Sequence, residues 1–67
     1  MTGEVVTFDD QRGDGVFRAD DGTEFYFHCV VIADGSRTIA TGLPAQATRR
    51  VGLRGRDEVE AVRLLEV

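Results

Sequence analysis

The chain has no tryptophan and no lysine, and it carries one cysteine, one histidine and one proline in 67 residues. Each scarcity excludes something. A lone Cys29 cannot form an internal disulfide and has no partner for a CxxC metal pair. With His28 as the only imidazole, a structural zinc site would lack ligands. No apolar run approaches the ~18–20 residues that span a bilayer, and Met1-Thr2-Gly3-Glu4 lacks the basic start and apolar stretch of a signal peptide. A reducing, cytoplasmic location with no membrane association is the expectation. Catalytic groupings are missing too. His28 has no nucleophile or paired carboxylate at a telling spacing, Ser36 has no motif around it, and Cys29 reads as an inert, half-buried thiol. The Asp9-Asp10 and Asp20-Asp21 pairs sit where turn chemistry explains them, whereas two-metal catalysis needs more converging carboxylates. The sequence therefore predicts a protein that is not an enzyme and needs no cofactor.

What is present fits one small domain over residues 1–67, with 42% hydrophobic and 30% charged residues. The net charge of −4 argues against a strong electrostatic grip on nucleic acid. Its distribution is uneven. Residues 1–34 hold eight acids against Arg12 and Arg18, a net of −6, while residues 35–67 hold six arginines against four acids, a net of +2.

Short β-type segments dominate the first half. Residues 4–8 and 15–19 read as strands, and Asp20-Asp21-Gly22 reads as a hairpin turn because Asp-Gly tolerates positive φ. Residues 24–29 form a third strand that has the composition to run on through Val30-Val31-Ile32. Alternation puts Phe25 and Phe27 on one face with Tyr26 and His28 on the other, the latter pair being the wetter. Phe17 joins Phe25 and Phe27 on the core side. Pro44, lacking an N–H, should start or edge a fourth strand over residues 45–51. The last segment is ambiguous. Asp57 and Glu60 resemble a capped helix start, and Val59, Val62 and Leu65 fall on one helical face; a strand is required only if a barrel needs a fifth one.

Two segments carry the functional signal: Arg12-Gly13-Asp14-Gly15-Val16-Phe17 and Phe25-Tyr26-Phe27-His28. Glycines flanking one position, followed by an aromatic strand ending in His, suit a platform on which rings stack against bases while basic groups track phosphates. Gly13 and Gly15 equally suit a crowded bend in a barrel strand, and that is the commoner use.

In order and spacing the chain resembles the bacterial cold-shock domain family over nearly its whole length. The pattern runs Gly3-x-Val5-x-x-Phe8-Asp9, Arg12-Gly13-x-Gly15-x-Phe17, Asp21-Gly22, Phe25-Tyr26-Phe27-His28, Val31-Ile32-Ala33-Asp34-Gly35, Gly42 and Arg54-Gly55. The resemblance implies an all-β, five-stranded antiparallel OB-fold barrel of the cold-shock type, binding single-stranded RNA or DNA, with the C-terminal segment as a strand. It places the family's two RNA-binding motifs at residues 13–19 and 25–29. Several rings expected there are missing, with Thr7, Asp14, Val16, Cys29 and Ser36 in their places. At ~1–3 kcal/mol per stacked base, losing four or five rings would remove on the order of 5–10 kcal/mol if losses were additive. An exposed Asp14 at the stacking centre would also repel phosphates.

The sequence thus predicts a non-enzymatic nucleic-acid binder of lowered affinity, with candidate contacts Phe8, Arg12, Phe17, Tyr26, His28, Arg54 and Arg56. The Arg49-Arg50 and Arg54-x-Arg56 cluster reads as solvated charge on an edge strand, or alternatively as a phosphate-tracking rim. The rival is a protein-interaction module on the same barrel, with the acidic face or the arginine rim turned to a partner. A small SH3-like barrel is the structural alternative.

Overall fold

The computed structural model describes residues 1–51 and 57–65. Five strands follow one another: β1 (Thr2–Asp9), β2 (Asp14–Ala19), β3 (Glu24–His28), β4 (Pro44–Val51) and β5 (Asp57–Leu64). They form a single antiparallel sheet in the order β3-β2-β1-β4-β5. No α-helix occurs among the described residues. The candidate arginines Arg54 and Arg56 lie outside them.

Local chemistry accounts for the meander. Asp9 ends β1 because its carboxylate accepts the backbone N–H groups of Gln11 and Arg12 at 2.9 and 3.1 Å. Gly13 then closes the turn with φ +74°, donating its N–H to the Asp9 carbonyl at 2.7 Å. Gly15 is required for a different reason. A Cβ there would sit 2.3 Å from the Thr7 carbonyl oxygen and 2.9 Å from the Phe8 ring, so β1 and β2 could not approach. The β2–β3 turn is the expected Asp-Asp-Gly hairpin, with the Asp21 carboxylate accepting the Thr23 N–H at 2.9 Å.

Three elements depart from local sequence signals. After β3 the chain does not continue as a strand through Val30-Val31-Ile32. Instead the His28 ring accepts the Val30 N–H and caps a 3₁₀ turn at Cys29–Val31. That turn leaves Val30 78% exposed and swings Ile32 into the core, a gain of apolar burial that outweighs the strand propensity of a β-branched run. β4 is not an edge strand, because it pairs with β1 on one side and β5 on the other; its Arg50 pairs with Glu58 at 3.1 Å and Glu60 at 3.7 Å across β5.

The third departure is β5 itself, whose helix-like spacing belongs to a strand. Gln46 faces Arg63 and Thr48 faces Glu60, so one extra residue is accommodated in β5, and Ala61 takes φ +52° there. The bulge brings Val59 and Val62, three apart, onto the same buried face. A helical period and a bulged strand therefore write the same pattern. A matching irregularity in β1, between Val5 and Thr7, reverses the face of the residues that follow it.

The core is formed by Val5, Phe17, Phe25, Phe27, Ile32, Ala45, Ala47, Val59 and Val62, with Ala19 at its margin. Phe17 has no exposed surface, and burying such a ring stabilises by about 3 kcal/mol. Beyond β3 the chain meets β5, where the Ala33 N–H donates to the Val62 carbonyl at 2.8 Å beside an isolated parallel bridge between Ile32 and Val62.

Candidate functional site

The registers of β1, β2 and β3 lay three rows of side chains across one side of the sheet: Glu4–Arg18–Glu24, Thr7–Val16–Tyr26 and Asp9–Asp14–His28. The alternating residues Val5, Phe17, Phe25 and Phe27 face the core, as the period-two pattern predicts. Tyr26 is 63% exposed and His28 is exposed beside it on the same strand. In the first row Arg18 and Glu24 form a solvent-exposed ion pair at 2.9 Å, which adds little stability.

Asp14 departs most from expectation. It is not an exposed carboxylate at the stacking centre but is only 8% exposed. The Tyr26 hydroxyl donates a short hydrogen bond to Asp14 Oδ2, and Arg12 donates to the same oxygen from Nη2 at 3.0 Å and Nε at 3.3 Å. Its charge is therefore neutralised within the chain, and what it withholds from a ligand is the free charge of Arg12 and the free hydroxyl of Tyr26. The bond from Tyr26, then that from Arg12, holds the Asp14 carboxyl below the usual aspartate range. Conversely the bond to Asp14 raises the Tyr26 phenol and the Arg12 guanidinium.

The other candidates separate. Phe17 has no exposed surface and lies in the core beneath the face. Phe8 shares a row with Gly15 and Phe27, not with Tyr26, because the β1 irregularity turns it to the other side; its half-buried ring stacks on Phe27 with centroids 6.0 Å apart. His28 accepts the Val30 N–H at Nδ1, which leaves Nε2 to carry the proton in the neutral ring. The structure thus brings Arg12, Tyr26 and His28 together around Asp14.

One residue joins them that the sequence reading did not single out. Arg37 lines a shallow cleft with Arg12, Gly13, His28, Cys29 and Val30. It has no ion-pair partner among the described residues. A hydrogen bond of 2.7 Å from Thr38 Oγ1 to Asp10 Oδ1 holds its loop against the β1–β2 turn. Nothing local in the polar stretch after Asp34-Gly35-Ser36 signals that contact across 28 residues.

Cys29 is a free, half-buried thiol with its Sγ 3.7 Å from His28 Nδ1. Among the described residues no group of three or more His, Cys, Asp or Glu side chains could hold a metal ion, and no helix is long and apolar enough to cross a membrane. Comparison of the chain with models of known protein families and with curated proteins gives no match.

Proposed function

We propose that the chain is a barrel of the OB, cold-shock-like kind whose β1–β3 face binds single-stranded RNA or DNA with low affinity, as a cytoplasmic protein with no catalytic activity. The observation that carries the reading is the pair of exposed rings, Tyr26 and His28, two residues apart on one strand and about 7 Å from each other along it. Each can take one base, and stacking of this kind is indifferent to base identity. Arg12 and Arg37 share one cleft with His28 and would follow the phosphates. Arg54 and Arg56 belong to the same proposal as further phosphate contacts.

Barrel closure is favoured by the Ile32–Val62 bridge and by the cleft that Tyr26, Phe27 and His28 of β3 share with Glu58 and Val59 of β5. Low affinity follows from the net charge of −4 and from Asp14, which holds both Arg12 and the Tyr26 hydroxyl. That same network favours a second reading, in which the face has turned to a protein partner.

Titration of a fluorescent single-stranded oligonucleotide at low salt separates the two. Saturable binding that weakens with added salt and with Tyr26→Ala supports the platform. Absence of binding at high micromolar protein would end that reading and leave the protein partner ahead.

A further inference from the structure

We propose that Arg12 is a phosphate subsite that the chain occupies with its own Asp14 carboxylate, so that a phosphate group binds by taking Arg12 from Asp14 while Tyr26 stays with Asp14. The inference rests on the nucleic-acid reading for the identity of the natural ligand, but not for the existence of the subsite.

Three donor groups, Arg12 Nε, Arg12 Nη2 and the Tyr26 hydroxyl, converge on the single oxygen Oδ2 of Asp14. A guanidinium edge that donates two N–H groups to one carboxylate oxygen can donate them equally to a non-bridging phosphate oxygen, which presents the same charge-assisted acceptor. The neighbouring strands supply Asp9 from β1, directly across from Asp14, and His28 from β3. A second guanidinium, that of the exposed Arg37, lines the same cleft.

Exchange needs no rearrangement of the core. The Arg12 side chain is 67% exposed while that of Asp14 is 11% exposed, so the arginine can swing outward and leave the carboxylate behind. Asp14 keeps the Tyr26 hydroxyl when that happens, so the buried carboxylate is not left without a partner. Phosphate binding is weakened by whatever Arg12 loses on leaving Asp14, and the tyrosine ring remains clamped in its outward pose.

The test compares four proteins: wild type, Asp14→Asn, Arg12→Ala and the double variant. Asp14→Ser serves as a second variant at position 14 if the amide disturbs folding. Titration of a single-stranded oligonucleotide at low salt should show about tenfold tighter binding by Asp14→Asn, with a salt slope steeper by about 0.7 for one added phosphate contact. Arg12→Ala should weaken wild-type binding a few-fold, by less than it weakens binding in the Asp14→Asn background, where it erases the whole gain, the signature of coupled residues. Equal affinities for wild type and Asp14→Asn would overturn the subsite while leaving the nucleic-acid reading intact.

Should no variant bind the oligonucleotide, the nucleic-acid reading fails and inorganic phosphate becomes the probe. Phosphate-dependent shifts of the Arg12 side-chain resonances in Asp14→Asn, absent from wild type, would uphold the subsite; their absence would overturn it. The clamp itself is read separately. Tyr26 is the only tyrosine and there is no tryptophan, so absorbance follows one phenol. It should ionise at higher pH in wild type than in Asp14→Asn, and coincident titrations would overturn the clamp and the subsite with it.

Discussion

Placing a ring at Val16 should raise affinity for single-stranded nucleic acid. Val16 lies between Thr7 and Tyr26 in the middle row of the β1–β3 face and is half-buried. Hydrogen bonds from Cys29 to Gly13 and from Ala19 to Thr23 mark the odd-numbered β2 residues as the hydrogen-bonded pairs, so Val16 and Tyr26 form a close, non-hydrogen-bonded pair. A phenylalanine there would sit beside the Tyr26 ring with Cβ atoms about 5 Å apart, leaving the Asp14–Arg12–Tyr26 network untouched. A cross-strand aromatic pair adds about 0.2–1 kcal/mol of stability, and a further stacked base adds about 1–3 kcal/mol of binding. Val16→Phe should therefore bind a single-stranded oligonucleotide about 5- to 150-fold more tightly, with thermal stability held or raised. Fluorescence anisotropy at low salt measures the first and circular dichroism melting the second. A folded Val16→Phe variant with wild-type affinity would refute the reasoning, because a ring added to the centre of a stacking face cannot be neutral.

Other expectations follow from the strained and buried positions. Ala61→Gly should stabilise the protein by about 0.5–1 kcal/mol, since left-handed backbone costs a non-glycine residue about 1–2 kcal/mol and the added unfolded-state entropy of glycine returns part of that; a fall in melting temperature would contradict the bulge at that residue. Phe17→Ala should cost about 3–5 kcal/mol and leave little folded protein in a chain this small, as urea denaturation would show. Acid should act partly through Asp14. Its carboxyl is held below the ordinary value of 3.8, so the stabilisation it supplies is present above that value and is lost as pH falls through the folded-state pKa. Urea midpoints of wild type should accordingly fall faster than those of Asp14→Asn below pH 3.8, and parallel curves would contradict the assignment.

The first three strands and both of their turns were legible in the sequence because each signal is local. Aspartate ends β1, Asp-Gly turns β2 into β3, and the Phe25, Tyr26, Phe27, His28 alternation sorts core from surface without outside information. Two irregularities defeated the same logic further along. One residue's slip in β1 moved Phe8 from the platform side to the side of Phe27, and one extra residue in β5 turned a strand into an apparent helix. Pattern periods assume regular strands, and a bulge breaks the period without leaving a glycine to mark it. The candidate site was legible as positions but not as interactions. Tyr26 and His28 stand where alternation put them, yet nothing in Arg12-Gly13-Asp14 reveals that the carboxylate folds back onto Arg12 and the hydroxyl of Tyr26, a residue on another strand. Arg37 enters the cleft through the long loop before β4, which no short-range signal encodes.

The most direct test of the account is amide and side-chain shift mapping by nuclear magnetic resonance as a single-stranded oligonucleotide is added to the wild-type protein at low salt. Shifts should concentrate at Arg12, Val16, Tyr26, His28 and Arg37, with the outer surface of β4 and β5 largely unchanged. Shifts confined to β4 and β5, or none at millimolar oligonucleotide, would contradict it.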